Sequence, residues 1–280
     1  MTESLVPLAG VIGNPVAHSR SPRLHRHWLA RYGIAGDYVP LHVHEQDLAL
    51  VLRALPKMGF VGVNITIPHK VAVMELADQV SDRAILIGAA NMLIFRADGR
   101  ILADNTDGFG FLANLRQGAP SWQAGAGPAA VLGAGGAARA VIEALLDAGV
   151  PRIMIANRTR TKAEILRRDF GTRLEVVDWV QAGNMIEEAS LVVNTTSLGM
   201  TGQAELRLPL DGLHPGQVVT DLVYTPLRTR LLAAAEAAGC VTVDGLGMLL
   251  HQAVPAFERW FGRRPEVDAA LRAAVLEGAE

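Results

Sequence analysis

Three groups of residues in this 280-residue chain have the types and spacing to do chemistry. The first is Gly133-Ala134-Gly135-Gly136-Ala137-Ala138, which has the G-x-G-x-x-A spacing of a loop that receives a pyrophosphate. Gly133 permits a tight turn, Gly135 lets backbone N–H groups approach phosphate at the positive end of a following helix, and Ala138 allows close helix-to-strand packing. Gly/Ala-rich chains produce such strings by chance, so the pattern has force only with a strand before it and a helix after it. The flanking AAVLG and AVIEALL supply both. The next β-branched run, RIMIAN, ends in Asn157-Arg158-Thr159-Arg160-Thr161-Lys162. A carboxylate at this point, about 20 residues after the glycines, would bond the ribose 2′-hydroxyl of NAD. None is present. Arg158 offers a planar donor fork and Lys162 a second charge one turn on, so the segment suits the 2′-phosphate of NADP. The competing reading is a solvated helix start, although cations at a helix N-terminus oppose the macrodipole unless an anion sits there.

The second group is the loop Gly13-Asn14-Pro15-Val16-Ala17-His18-Ser19-Arg20-Ser21-Pro22. Pro22 in a first helical turn makes Ser21 a candidate N-cap, while Ser19 has no such structural role to explain it. Two hydroxyls beside a helix N-terminus can bind a carboxylate. The third group is a pair of segments, Asn64-Ile65-Thr66-Ile67-Pro68-His69-Lys70 and Asp104-Asn105-Thr106-Asp107-Gly108. By itself Lys70 reads as a solvated charge, and Asp107-Gly108 as a turn. The latter is not a calcium loop, because Leu115 stands where the closing glutamate belongs.

These residues sit at the ends of apolar runs that alternate with helical patterns: LAGVIG, DYVPLHV and VGVNITI, each followed by a helix-like stretch. The alternation predicts α/β units around mostly parallel strands. ANMLIFR and RILADNTDG predict a hairpin turning at Asp98-Gly99, and the Gly/Pro/Ala-rich QGAPSWQAGAGP marks a loop near the join to a second unit. From there AAVLG, RIMIAN, LEVV, SLVVNT, VVTDLV and VTVDG predict six strands of a doubly wound dinucleotide-binding sheet. The expected fold class is α/β: a substrate-binding domain over 1–110, a Rossmann-type domain over 111–245 with a deep cleft between the two, and C-terminal helices over 246–280 packing back on the first. Pro255 is expected to kink the last long helix or to start a new one.

Composition sets further bounds. The formal charge of −2, from 26 basic and 28 acidic residues, leaves no basic stripe for nucleic acid. The opening MTESLVPLAGVIG lacks a positive segment, and no run approaches the ~20 apolar residues that span a bilayer, so a cytoplasmic protein without a membrane partner is expected. Cys240 is the only cysteine, which excludes an internal disulfide and a cysteine metal cluster and reads as core packing. No metal site is expected.

The chain also resembles the shikimate dehydrogenases over nearly its full length. The ordered motifs GNPVAHSRSP, NITIPHK, GAAN, DNTDGFG, GAGGAARA, NRT, NTTSLGM, Tyr224-Thr225-Pro226 and GLGMLLHQA carry the likeness. The resemblance implies NADPH-dependent reduction of 3-dehydroshikimate to shikimate, within chorismate and aromatic amino acid biosynthesis, by a monomer or homodimer. It implies Lys70 and Asp107 as the catalytic pair, Lys70 exchanging the proton. Ser19, Ser21, Thr66, Asn91, Tyr224 and Gln252 are implied as substrate contacts, with Asn194, Thr195 and Met248 near the cofactor. Arg26 and Met92 depart from the family pattern, which leaves a broader enzyme acting on quinate as well as an alternative; a non-catalytic NADP-binding regulator is a more distant one.

Overall fold

The computed structural model describes residues 6–277. Its contacts divide the chain into two compact units, one running to Thr106 and resuming at Gln252, the other Asp107–His251. Among the described residues, no helix is long and apolar enough to cross a membrane.

The first unit contains strands β1 (Leu8–Gly13), β2 (Asp37–His42), β3 (Phe60–Ile65), β4 (Gln79–Val80), β5 (Met92–Phe95) and β6 (Ile101–Asp104). Helices α1 (Ser21–Tyr32), α2 (Leu48–Ala54), α3 (Ala72–Leu76) and α4 (Asp82–Ile87) connect them. The sheet order is β2-β1-β3-β5-β6-β4. β1 runs parallel to β2 and β3, whereas β5 is antiparallel to both β3 and β6. The expectation of mostly parallel strands holds, since β4 also pairs parallel with β6, while the β5–β6 hairpin expected at Asp98-Gly99 reverses the chain and places antiparallel pairings mid-sheet. Its turn closes through Gly99 N–H to Arg96 O at 2.9 Å. In α1, Leu24, His25, Trp28 and Leu29 fall on one buried stripe, and Gly33 ends the helix in the left-handed region at φ 61°.

The second unit opens with α5 (Asp107–Gly118) and continues β7 (Ala129–Leu132), α6 (Gly136–Asp147), β8 (Ile153–Ala156), α7 (Arg160–Phe170) and β9 (Leu174–Val177). It is completed by α8 (Ala182–Glu188), β10 (Leu191–Asn194), β11 (Val218–Asp221), α9 (Arg230–Ala237) and β12 (Val241–Val243). All six strands read from the sequence form, in the order β12-β11-β10-β7-β8-β9, and every pairing is parallel. This is the doubly wound arrangement, with its topological switch between β7 and β10. Both faces are covered: Ala129 and Val131 of β7 enter one apolar cluster, Ala130 and Leu132 the other.

The chain closes with α10 (Leu246–Phe261) and α11 (Ala269–Leu276). The part of α10 from Gln252 onward belongs to the first unit. There Trp260 Nε1 donates to Leu93 O at 3.1 Å, and it lies so close over Gly62 that a side chain on β3 at this point would collide with it. Pro255 lies inside α10, which runs on to Phe261 without restarting.

Candidate active site

In the second unit, the loop after β7 forms one wall of a groove of about 270 Å³. Gly133, Ala134, Gly135, Asn157, Arg158, Lys162, Trp179, Thr195, Thr196, Ser197 and Leu198 line it. Gly133 sits at φ 105°, and a Cβ there would approach Thr196 Cγ2 to 2.7 Å and Thr195 Oγ1 to 2.8 Å, so glycine is required on two grounds. Side chains at Gly135 and Gly136 would meet nothing within 4 Å, which leaves the start of α6 open to a ligand. The first N–H groups of a helix have no partner inside it and carry positive partial charge, so this end receives an anion. Ala138 is fully buried, as close helix-to-strand packing demands.

The cations beside the groove divide into two kinds. Arg160 is neutralised by Asp178 at 2.5 Å and by Glu164 at 3.0 Å. Arg158 and Lys162 are exposed, line the groove, and have no ion pair or side-chain hydrogen bond among the described residues. Asn157 lines the groove, while its Nδ2 holds the loop by donating to Thr159 O at 2.8 Å. Thr159 occupies the N-cap position of α7 without a side-chain cap bond. Thr195 lines the groove with its hydroxyl bonded to Leu132 O at 2.7 Å. Asn194, expected near the cofactor, is fully buried, and its amide is engaged by Asp221, Thr196 and Leu198, so it shapes the wall from behind. Met248 is half-buried against the second unit's apolar cluster.

In the first unit, the candidate substrate residues gather where β1 and β3 end, which is where α/β sheets place ligands. Thr66 N–H donates to Ile12 O at 2.9 Å and Asn14 N–H to Ile67 O at 3.0 Å, which ties the two loops together. The Lys70 carbonyl accepts from Ala90 N–H at 2.8 Å, which fixes the lysine's backbone beside Asn91. His69, fully buried, bonds Val43 O through Nε2 at 2.8 Å and anchors the same turn. Asn91 is held on several sides: Oδ1 accepts from Thr106 N–H at 2.9 Å, and Nδ2 reaches Thr106 Oγ1 at 3.1 Å and Gln252 Oε1 at 3.4 Å. Asp107 follows Thr106 directly as the first residue of α5, and Tyr224 is half-exposed in the loop after β11; both belong to the second unit.

Ser21 is not the N-cap that proline suggested. Arg20 takes that position, and the Ser21 N–H donates to Ser19 Oγ at 3.3 Å. Ser19 thus has a structural partner after all. Of the two departures, Met92 packs in an apolar cluster with Tyr38 and Trp260, and Arg26 pairs with Asp37 at 2.8 Å on the surface.

A buried cluster behind this site was not read from the sequence. Tyr38 O–H donates to Asn64 Oδ1 at 2.7 Å, and Asn64 Nδ2 donates to Asn91 O at 3.1 Å. His25 stacks on Tyr38 with centroids 4.0 Å apart and planes 3° apart, and among the described residues neither ring nitrogen has a hydrogen-bond partner. Burial pushes its pKa down to about 3, and burial likewise raises the Tyr38 phenol well above its usual value. In the second unit, burial raises the Asp221 carboxyl to about 6. Trp179, Thr196, Ser197 and Leu198 were also missed as groove residues.

Comparison with known proteins matches residues 11–93 to the shikimate dehydrogenase substrate binding domain. Residues 123–200 match shikimate / quinate 5-dehydrogenase, and residues 245–275 the shikimate 5'-dehydrogenase C-terminal domain. A Ruegeria protein named shikimate dehydrogenase (NADP(+)) is 66% identical over 276 residues, covering 99% of this chain and 100% of its own. The chain belongs to the shikimate dehydrogenase family. Two solved structures of that fold are close in shape. The Thermus thermophilus shikimate 5-dehydrogenase in complex with NADP(H) and shikimate has a TM-score of 0.85 and 37% identity, covering 96% of this chain and 98% of its own. The Corynebacterium glutamicum quinate dehydrogenase in complex with NAD has a TM-score of 0.89 and 34% identity, at 96% and 98% coverage.

Proposed function

We propose that this chain catalyses the reversible NADPH-dependent reduction of 3-dehydroshikimate to shikimate in the cytoplasm, a step toward chorismate and the aromatic amino acids. The observation that carries the reading is the 66% identity to an NADP(+) enzyme of this activity, spread over 99% of the chain and so over both units. The groove supports the cofactor independently. Among the described residues, Arg158 and Lys162 stand unpaired where a 2′-phosphate needs counter-charge, no carboxylate lines the groove to bind a 2′-hydroxyl, and the open start of α6 suits the pyrophosphate.

When bound, NADPH supplies the hydride that reduces the carbonyl carbon. The chain's own residues must then hold the acid and manage one proton. Ser19, Ser21 and Thr66 present hydroxyls to the substrate carboxylate, and Asn91, Gln252 and Tyr224 meet its ring oxygens. Lys70 donates the proton to the developing alkoxide and takes it back in the reverse direction, with Asp107 as its carboxylate partner. Thr195 and the glycine loop hold the cofactor from one side and Asn157, Arg158, Thr159 and Lys162 from the other, while Met248 contributes apolar contact.

Replacing Lys70 by alanine is the direct test of this assignment. The turnover number should fall at least ~100-fold while the dissociation constant of NADP changes little. A variant that keeps most of its turnover removes Lys70 from proton transfer. A second reading, acceptance of quinate as well as shikimate, is favoured by the structural likeness to a quinate dehydrogenase. Discrimination then depends on whether a buried polar group is left unpaired by the extra ring hydroxyl.

A further inference from the structure

The loops that follow β10 and β11 carry site residues of different kinds, and one buried carboxylate joins them. The first loop supplies Thr195, Thr196, Ser197 and Leu198 to the groove, and the second carries Tyr224. Asp221, the last residue of β11 and 1% exposed, lies in register with Asn194, the last residue of β10. Asp221 Oδ1 accepts from Asn194 Nδ2 at 2.9 Å and from Val223 N–H at 3.0 Å, and Oδ2 accepts from the Thr229 hydroxyl at 2.7 Å. Asn194 passes the constraint on. Its Oδ1 accepts from Thr196 N–H at 3.1 Å and from the Thr196 hydroxyl at 2.7 Å, and its Nδ2 also reaches Leu198 O at 3.3 Å. Thr196 Oγ1 in turn accepts from Leu198 N–H at 3.1 Å.

Burial raises the Asp221 carboxyl to about 6, so the ionised group is retained here against a desolvation cost. Its geometry gives a reason. Three donors arrive from three places: a neighbouring strand end, its own loop and the start of α9. A carboxylate accepts from all of them, whereas an amide in its place turns an N–H toward one. We infer that Asp221 is a positioning residue for both ligand sites, setting the groove wall at Thr196 to Leu198 and the course of the Tyr224 loop through one set of hydrogen bonds. The inference rests on the proposed reaction, in which the groove holds NADP and Tyr224 meets the substrate.

The test compares Asp221→Asn, Thr229→Val and Thr229→Ser with two single-site references, Arg158→Ala and Tyr224→Phe. Dissociation constants for NADP and for shikimate are measured separately by titration calorimetry on the full chain, at a temperature where near-ultraviolet circular dichroism shows each variant folded. Asp221→Asn should weaken both ligands by about 5-fold or more, the scale of one net hydrogen bond lost from the loop positions. Thr229→Val should move both constants in the same direction, and Thr229→Ser, which keeps the hydroxyl, should return them to within about 2-fold of the parent. Arg158→Ala should move NADP alone and Tyr224→Phe shikimate alone. A merely structural Asp221 would lower the melting temperature and leave both constants of the folded protein unchanged, and that result overturns the inference. So does a change confined to one ligand. If Asp221→Asn does not fold, the Thr229 pair decides the matter. A parent protein that binds neither ligand overturns the proposed reaction itself, and the inference with it; a parent that binds both while the variants are unchanged overturns only the inference.

Discussion

The two units fix their functional loops with buried polar clusters of opposite chemistry. In the first, Tyr38, Asn64, Asn91 and Thr106 form a neutral chain, and buried His25 stacked on Tyr38 is held neutral as well. In the second, the centre is a carboxylate that gathers donors from Asn194, Val223 and Thr229. The loops explain the difference. An amide donates and accepts, so asparagines can relay hydrogen bonds in line from β2 through β3 to the segment before β5. Where several donors converge on one point, an acceptor-only group fits better. The charged residues beside the groove repeat the contrast on the surface, with Arg160 paired and Arg158 and Lys162 left open.

The largest expected effect comes from breaking the neutral chain. Asn64→Ala leaves the buried Tyr38 hydroxyl without its Asn64 acceptor and the Asn91 carbonyl with the Ile65 N–H but one bond fewer, and should destabilise the protein by roughly 2–4 kcal/mol in urea unfolding. A loss under about 1 kcal/mol would show that the chain does not hold the site loops. Next in size is the acid response of His25. Its pKa is depressed in the folded state, so its contribution is complete above the unfolded value of 6.5 and is lost as pH falls toward about 3. Acidification from about pH 7 to about pH 5 should cost about 2 kcal/mol through this one group, and His25→Phe should remove that share of the slope. Equal slopes in parent and variant would contradict the buried neutral assignment.

Arg158→Ala should weaken NADP about 10-fold with little effect on NAD, while Arg160→Ala, which disturbs an existing pair, should leave NADP within about 2-fold. Equal losses from the two arginines would erase the distinction between paired and open cations. The smallest effect sharpens the contrast in sign. Asp221 has a raised folded pKa, so its contribution is complete below the unfolded value of 3.8 and is lost as pH rises through about 6. Over the same acidification it should add about 1 kcal/mol, opposite to His25, and Asp221→Asn should make the acid loss steeper by that amount.

Local signals made much of this legible. The strands of the second unit are short, mostly apolar runs bounded by polar or turn-forming residues, and the glycine spacing and the Arg158 to Lys162 pattern lie within single segments. Pairing direction is not a local property beyond a hairpin: the turn at Asp98-Gly99 predicts the antiparallel β5–β6 pair, but no local signal shows that β5 also runs antiparallel to β3. Ser19 and Ser21 illustrate another limit, since which hydroxyl meets the helix start depends on where the helix begins, and it begins one residue before Pro22. Asn194 carries the right residue type for a cofactor contact, but whether it faces the groove or Asp221 is decided by a strand end 27 residues away. His25 had a usable signal: its place on the buried stripe with Leu24, Trp28 and Leu29 marks a histidine in the core. Trp179 had none, because only folding brings the segment after β9 against the Arg158 loop.

Steady-state kinetics with shikimate and quinate, each against NADP and NAD, tests the proposed reaction most directly. Turnover should be observed with shikimate and NADP, and kcat/KM for that combination should exceed those for quinate and for NAD. Absence of NADP reduction with shikimate, or a preference for quinate with NAD, would contradict it.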